Sequence, residues 1–440
     1  MLMIAYFPAI MLYFDSPRYA RIDSTPLFGD FWMPAGYPIL LKVLHTLSDQ
    51  LWVTIAVQHA MGIGLGIIVY LIFCRLGMRR WVASLAAAVP LLSGDQLYLE
   101  HIIMADHFFG VLAAVGLSTA VASFLFPYKL SWIVVGSTLL TFAALTRSVG
   151  IVLVPILLIV IVIWVITGPE HRWAAVGAVI VPSLIVFALY FAARAMSHGE
   201  YLGLYDMRGW NLYSRVAPFA DCGKFTPPEG TAILCEQTPP SQRPGPFGYI
   251  WDTSSIARRA FALGPRTGRK LEAFAKKVIL HQPGDYAGAV LTDLARYIYP
   301  SIAPPRPYSG QPRELVSFGW RDSSVENMVV RAMSRGYRGT SVRLHGRALL
   351  GFYQNVFRVN GLILCALISF SVVGMVKATG PRRFATLLFG LSGFALYAVP
   401  VLTVSYNFRY GIPAETLLVM SGLLGAGSLF GRALVREEGS

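Results

Sequence analysis

The sequence predicts an all-α polytopic membrane protein with about ten transmembrane helices, juxtamembrane helices outside the cytoplasm and one large outer segment. Two bulk properties predict this class: 55% of the 440 residues are hydrophobic, and only 14% are charged. A soluble domain usually carries about 25% charged residues, so this much apolar surface cannot be hidden in one aqueous core. Helices of about 20 residues, each crossing roughly 30 Å of hydrocarbon, satisfy both the side chains and the backbone.

Hydrophobic runs mark the candidate spans. They lie at about 1–14, 52–74, 81–94, 107–126, 131–146, 149–167, 173–195, 355–376, 384–404 and 411–430. The first run is too short to cross alone, and it lacks the basic leader and small-residue cleavage site of a signal peptide. We therefore expect either that the native chain begins upstream of Met1 or that this helix begins inside the membrane.

The distribution of positive charge predicts the orientation of the spans. A basic patch follows every even-numbered run, from Arg75, Arg79 and Arg80 to Arg432 and Arg436. Because cytoplasmic loops collect Lys and Arg, we expect a multi-pass protein of the plasma (inner) membrane with both termini inside. The outer regions are then 15–51, about 95–106, about 197–354 and the turn 406–410.

This topology divides the chain into three parts. Residues 1–196 form an N-terminal membrane module with the first outer loops, 197–354 form an extracytoplasmic segment, and 355–440 form the C-terminal spans. The stretch from about 268 to 298 has helical periodicity broken at Pro283 and Gly284. It predicts amphipathic helices on the membrane surface rather than a separately folding domain.

Two cysteines of the outer segment predict a disulfide. Cys222 and Cys235 bracket a stretch rich in Pro and Gly, and the extracytoplasmic side is oxidising. The alternative is a pair of free thiols in a cytoplasmic loop.

The formal charge of +14 does not indicate nucleic acid as a partner. Much of the excess lies beside hydrophobic runs, where the positive-inside rule explains it. The remainder lies in the outer segment, where it can attract anionic lipid headgroups or phosphate-linked substrates.

The first outer loop contains acids that can carry chemistry. Asp15 follows the first run directly, and Asp23 and Asp30 share the loop with Arg18 and Arg21. A carboxylate at the membrane–water boundary has a pKa that burial and partners can tune. The alternative is a solvated loop.

The second outer loop offers another acidic group before the fourth run. It contains Asp95, Glu100 and Asp106. Glu100 and Asp106 are six residues apart, so on a helix they point in different directions and one can serve a site without the other. His101 and His107 leave a divalent cation open, although their spacing matches no standard ligand pattern.

Two arginines stand next to apolar runs. Arg147 lies between two runs, and Arg409 lies in the last outer turn. An arginine in this position is costly unless it meets an anion; snorkelling to lipid headgroups is the alternative. The sequence contains no Walker A loop, nucleotide-binding glycine fingerprint or GxSxG elbow, which disfavours ATP-driven transport.

Together these motifs resemble the GT-C membrane glycosyltransferases. The closer relatives are the protein mannosyltransferases, the lipid A aminoarabinose transferase and the actinobacterial arabinosyl- and mannosyltransferases. The resemblance covers roughly 1–200 and 355–430. The residues of the first loop that match are Asp15, Arg18, Tyr19, Ala20, Pro34, Gly36, Tyr37 and Pro38. The acidic motif from Glu100 to Asp106, Arg147 and the late R-Y-x-x-P of Arg409, Tyr410 and Pro413 also match.

The resemblance implies a sugar transfer outside the cytoplasm. The donor would be a polyprenyl-phosphate sugar, and the acceptor a cell-wall glycan, a glycolipid or a protein. Asp15 would act as general base with inversion at the sugar carbon, and Asp106 or Glu100 would orient a substrate. Arg18, Arg147 and Arg409 would hold the phosphate, and Tyr19, Tyr37, His107 and Tyr410 would complete the substrate site.

One departure from the family pattern affects phosphate binding. The aminoarabinose transferases have Lys-Pro-Pro near the end of the first loop, whereas this chain has Trp32, Met33 and Pro34. The phosphate must then be bound by other cations. Residues 210–215 and 281–290 and the cysteine pair also resemble actinobacterial members, and the segment 197–354 would cap the site and select the acceptor.

Three other functions remain open. Intramembrane charges can mark the path of a transporter or lipid flippase, although no inverted repeat is visible. An O-antigen ligase or polymerase-like enzyme would share the lipid-linked chemistry. A membrane scaffold without catalytic activity is the third.

Overall fold

The computed structural model describes residues 15–22, 26–125, 129–168, 172–198, 203–204, 206–299, 309–310, 313, 316–318, 323–340 and 347–435. The predicted first run and Asp23 lie outside the described residues.

The described chain is helical, and the predicted all-α membrane class is confirmed. Its extended pairing is confined to isolated bridges, Gln50 with Arg338 and Met78 with Val435. In chain order the helices are α1 Asp15–Tyr19, α2 Gly36–Leu47, α3 Leu51–Arg75, α4 Arg80–Leu92, α5 Gly94–His101, α6 Ala105–Leu125, α7 Leu130–Thr146, α8 Leu153–Thr167, α9 Ala174–His198, α10 Arg208–Val216, α11 Pro246–Trp251, α12 Ile256–Ala260, α13 Pro265–His281, α14 Pro283–Ile298, α15 Ser323–Met333, α16 Arg347–Val356, α17 Gly361–Lys377, α18 Gly380–Thr403 and α19 Phe408–Phe430. Short 3-10 helices lie at Ser148–Val152, Cys222–Lys224, Ala232–Leu234, Pro240–Gln242 and Gly431–Ala433.

Eight stretches of the described residues are long and apolar enough to cross a membrane. They are Leu51–Arg75, Arg80–His101, Ala105–Leu125, Ser148–Thr167, Ala174–Ser197, Ala348–Lys377, Gly380–Thr403 and Phe408–Phe430. The apolar helix Leu130–Thr146 has 17 residues and is shorter than these. Each predicted run after the first coincides with one of these helices.

The helices α6 and α19 form the centre of the membrane part. In the most apolar stretch of each helix, 78% of the residues of α6 and 83% of those of α19 are buried inside the protein. The corresponding buried share for α9 is 28%. Small residues allow this close packing: a Cβ on Gly136 of α7 would lie 2.8 Å from the carbonyl oxygen of Gly116 in α6. Because α6 and α19 are central, charged residues in their first turns are enclosed by protein.

The outer segment has a hydrophobic core of its own, which the sequence did not predict. The apolar faces of α10, α11 and α13 meet around Trp210, Tyr249 and Phe274, all of which are fully buried. The predicted break is present, because α13 ends at His281 and α14 begins at Pro283. An amphipathic helix buries its apolar face equally well against another helix as against lipid, and here these faces pack against one another.

The predicted disulfide is confirmed. Cys222 and Cys235 are bonded, with their Cα atoms 5.8 Å apart. Both pack against the core of the outer segment. The bond therefore closes the loop that carries the Pro- and Gly-rich stretch onto this core.

Candidate active site

A cavity of about 700 Å³ lies where the outer loops meet the ends of several spanning helices. Its walls come from the first outer loop, from the ends of α6, α7, α9, α18 and α19, and from α10 and α13 of the outer segment. The predicted site residues on these walls are Asp15, Tyr19, Asp106, Arg147, Arg409 and Tyr410. Residues far apart in the chain therefore share one space.

The cavity has chemically different walls. One wall is apolar, and its residues are Val149, Ile151, Phe191, Leu204, Val399, Pro400 and Val404. Ile151 belongs to a candidate span and is 47% exposed. The other wall is polar and contains Arg208, Asn211 and Glu272 of the outer segment.

Asp15, the first residue of α1, lines the same cavity. Burial raises the pKa of its carboxyl group above the ordinary value, and the positive charges of Arg409 and then Arg18 oppose this change. A carboxylate with a raised pKa takes up a proton more readily than an exposed one. Asp15 can therefore act as a base toward a group that enters the cavity.

Three helix ends bring two arginines and a carboxylate together. Asp106, in the first turn of α6, forms an ion pair with Arg147, which follows the last residue of α7. The Nε of Arg409, in the first turn of α19, lies 3.6 Å from Asp106. Two guanidinium groups next to one carboxylate give this cluster a net positive charge, which attracts an anion.

The ring of Tyr410 lies against both of these arginines. Its centroid is 4.8 Å from the Cζ of Arg147 and 5.6 Å from the Cζ of Arg409. Cation–π attraction holds a guanidinium over an aromatic face. Tyr410 therefore helps to keep the two positive charges next to each other.

The glycine of the P-x-G-Y-P motif allows a close contact beside Arg147. A Cβ on Gly36 would lie 2.5 Å from the Oγ1 of Thr146 and 2.6 Å from the carbonyl oxygen of Leu145. Only glycine lets the start of α2 approach the end of α7 this closely. The motif thus sets the position of the residue that follows Thr146.

Arg18 does not line the cavity and instead forms an ion pair with Asp30. Its Nε donates to the carboxylate of Asp30 at 2.9 Å, and Arg21 donates to the same oxygen at 2.8 Å. The other oxygen of Asp30 accepts from the backbone N–H of Trp32 at 2.6 Å. The structure thus places Arg18 in the framework of the first loop, from which its charge acts on Asp15.

Tyr37 and His107 lie behind the cavity in a buried polar network. The Tyr37 hydroxyl donates to the side chain of Gln58 at 2.8 Å, and the Nε2 of His107 lies 2.8 Å from the carbonyl oxygen of Gln58. Tyr37 also packs edge-on against Tyr19, with ring centroids 5.3 Å apart. These residues therefore support the cavity wall rather than line it.

Only one of the three acids of the second outer loop lines the cavity, as expected for side chains that point in different directions. Glu100 is buried in an ion pair with His59 and is not part of the cavity wall, whereas Asp106 is. Asp95 accepts from the Nε of Arg358 at 3.0 Å and from Gln354 at 2.7 Å, again away from the cavity.

In the part of the chain that the structure describes, no group of three or more His, Cys, Asp or Glu side chains is placed to hold a metal ion.

Sequence reasoning did not select the polar wall. Asn211 falls within the stretch 210–215 that resembles actinobacterial members, which is a weak signal. Arg208 and Glu272 form an ion pair at 3.3 Å on this wall. Nothing in the sequence distinguishes them from other charged residues on exposed helices.

Comparison with known proteins gives one similarity. No family model matches the chain, and no curated protein matches it. Among solved structures, ArnT from Cupriavidus metallidurans bound to undecaprenyl phosphate is similar over 98% of this chain and 75% of that chain. The identity is 15% and the TM-score is 0.35, which is too low to carry a functional argument.

Proposed function

We propose that the protein is an inverting glycosyltransferase that moves a sugar from a polyprenyl-phosphate donor to an acceptor outside the cytoplasm. The observation that carries this proposal is the position of Asp15. It shares one cavity with Arg147 and Arg409, and both apolar and polar residues line that cavity. This arrangement suits a donor with a lipid tail and a charged head, and an acceptor that arrives from water.

The donor would enter along the apolar wall. A prenyl chain can stay in the bilayer beside Ile151 and Phe191 while its phosphate reaches the arginines. The positive charges of Arg147 and Arg409, which face a single carboxylate, can attract the phosphate oxygens. Charge-assisted hydrogen bonds also stabilise the negative charge that the leaving prenyl phosphate gains as the sugar departs.

The acceptor would react beside Asp15. As its hydroxyl oxygen bonds to the anomeric carbon, the bond from that carbon to the phosphate oxygen breaks, and its electron pair leaves with the phosphate. The hydroxyl proton passes to the Asp15 carboxylate. A single displacement of this kind inverts the anomeric centre, through a transition state with oxocarbenium character.

The other parts of the chain would each contribute to this function. The module 1–196 and the spans of 355–440 together supply the cavity, and the segment 197–354 caps it and selects the acceptor. The active site would face the extracytoplasmic side of the plasma membrane, in line with the basic patches that follow the even-numbered runs.

The test is transfer of a labelled sugar by the purified protein in proteoliposomes. A short-chain polyprenyl-phosphate sugar serves as donor, and extracts of cell-wall glycan, glycolipid and protein serve as acceptors. We expect Asp15→Asn to abolish transfer while the protein stays monodisperse in detergent. Glu229→Gln, a change at an exposed residue of the outer segment, should leave transfer unchanged. Full transfer by Asp15→Asn would remove Asp15 from the mechanism.

The same vesicles separate an enzyme from a lipid flippase. A flippase would move the labelled donor between leaflets without breaking the bond between sugar and phosphate. Movement with no transfer to any acceptor would replace the proposed function with lipid transport.

A further inference from the structure

The polar wall of the cavity combines side chains that suit a carbohydrate. Trp32, Arg208, Asn211 and Glu272 line it together. Trp32 comes from the first outer loop, and the others come from α10 and α13. Sugar hydroxyl groups donate and accept at once, so they pair with carboxylate, amide and guanidinium groups, while the C–H face of a sugar ring packs on an aromatic ring.

Trp32 is held firmly in place on this wall. Its backbone N–H donates to Asp30 at 2.6 Å. The guanidinium carbon of Arg18 lies 5.4 Å from the centre of its ring. A fixed indole ring loses little conformational freedom when a ligand stacks on it, which is what a binding platform requires.

A second indole ring continues this surface outside the cavity. The rings of Trp32 and Trp251 have centroids 4.9 Å apart and are tilted by 53°. Trp251 is 52% exposed and is not part of the cavity wall. The pair therefore forms an aromatic surface that starts inside the cavity and ends in water.

Charged groups lie along the same edge. Arg208 is paired with Glu272 at 3.3 Å, and Glu272 also pairs with Lys276 at 2.7 Å. The side chain of Arg208 is 74% exposed and that of Glu272 is 20% exposed. Both can exchange part of this surface pairing for sugar hydroxyl groups, because exposed ion pairs contribute little free energy.

A lipid acceptor fits this wall less well. It needs a second apolar wall, whereas the apolar wall described above is assigned to the donor tail.

We propose that the acceptor is a glycan of at least two sugar units, with its terminal unit bound on the polar wall and its neighbour stacked on the exposed ring of Trp251. This inference rests on the proposed function, since it names the acceptor of that same cavity. The terminal unit would then reach Asp15, and the rest of the glycan would leave along Trp251.

Ligand-observed saturation-transfer NMR on the full chain in detergent, without donor, tests this inference. The probes are maltotriose, mannotriose and arabinotriose, with a Ser/Thr-rich peptide as the competing acceptor class. We expect at least one trisaccharide to bind, and Trp251→Ala to weaken that binding about tenfold. Trp52→Ala is the matched control, because Trp52 is 49% exposed at the start of a span away from the cavity wall.

A second variant addresses the polar groups. Glu272→Gln keeps the shape of the side chain and should also weaken binding of the same trisaccharide about tenfold, because it removes charge-assisted hydrogen bonds. The inference is overturned if no trisaccharide binds, if Trp251→Ala and Trp52→Ala give the same affinity, or if only the peptide responds to Trp251→Ala. The binding experiment contains no donor, so it does not depend on sugar transfer. If a trisaccharide binds here but the protein transfers no sugar in proteoliposomes, the proposed function fails and the binding result still stands.

Discussion

The carboxylate of Asp293 accepts a hydrogen bond from the backbone N–H of Tyr406 at 3.0 Å. The same oxygen accepts from Arg215 at 2.5 Å. Further along α14, which carries Asp293, the hydroxyl group of Tyr297 donates to the carbonyl oxygen of Asn407 at 3.0 Å. The outer segment thus holds the turn that leads directly into Arg409, so the position of the arginine pair depends on contacts made outside the membrane part.

We expect Asp293→Asn to destabilise the protein, although Asp293 does not line the cavity. The change leaves the buried guanidinium groups of Arg215 and Arg296 without their carboxylate, which costs on the order of 3 kcal/mol. Thermal unfolding in detergent measures the effect as a lower melting temperature. Asp285→Asn on the same helix is the control, because its ion pair with Lys224 is about half exposed and should contribute less than about 1 kcal/mol. Equal melting temperatures for the two variants would contradict the role given to Asp293.

The ring of Tyr410, rather than its hydroxyl group, should matter for donor binding. Tyr410→Phe keeps the aromatic face against Arg147 and Arg409 and should keep the KM for the donor within about twofold. Tyr410→Ala removes the face and should raise that KM roughly tenfold, as expected for loss of partly desolvated cation–π contacts. Steady-state kinetics at a saturating acceptor concentration measures both. A Tyr410→Phe variant as impaired as Tyr410→Ala would assign the effect to the hydroxyl group.

The rate of transfer should depend on the protonation of Asp15. The base must be unprotonated, so kcat/KM should fall as the pH falls through the pKa of Asp15, which burial raises above its ordinary value. The positive charge of Arg18 lowers this pKa, so Arg18→Gln should move the rising limb of the profile to higher pH. Arg18→Lys keeps the charge and should leave the limb in place. A limb that does not move in Arg18→Gln would show that the charge of Arg18 does not reach the base.

Gly36→Ala should disturb the site through backbone contact alone. The added methyl group would press on Thr146 and Leu145, next to Arg147, and overpacking of this kind costs about 1–3 kcal/mol. We expect a lower melting temperature together with reduced transfer. Gly64→Ala is the matched control, since a Cβ on Gly64 would have nothing within 4 Å. If both alanine variants unfold at the temperature of the unmodified protein, the close contact at Gly36 has no energetic weight.

The membrane part was predictable because its physical signals are strong. An apolar run of about 20 residues has few alternatives to a spanning helix, and the helices end close to where the runs end. Charges at such helix ends are costly unless they meet. This is why Asp106, Arg147 and Arg409, selected one by one from the sequence, share one cavity.

The outer segment was less predictable for an equally physical reason. The apolar stripe of α13 shows that one face is buried, but not whether lipid or another helix covers it. Polar side chains such as Asn211 and Glu272 are common on exposed helices, so only the fold shows that they reach the cavity. Glu100 and His107 show the opposite case: the sequence selected them as site residues, but they are buried and do not line the cavity.

The central position of α19 has a consequence for biosynthesis. Arg409 and Tyr410 lie in the first turn of the final described span, whereas Asp15 and Asp106 leave the ribosome some three hundred residues or more earlier. Until that span is inserted, the nascent chain lacks the second arginine beside Asp106, and the cavity is incomplete. The order of synthesis thus completes the cavity only when the last described span joins the bundle.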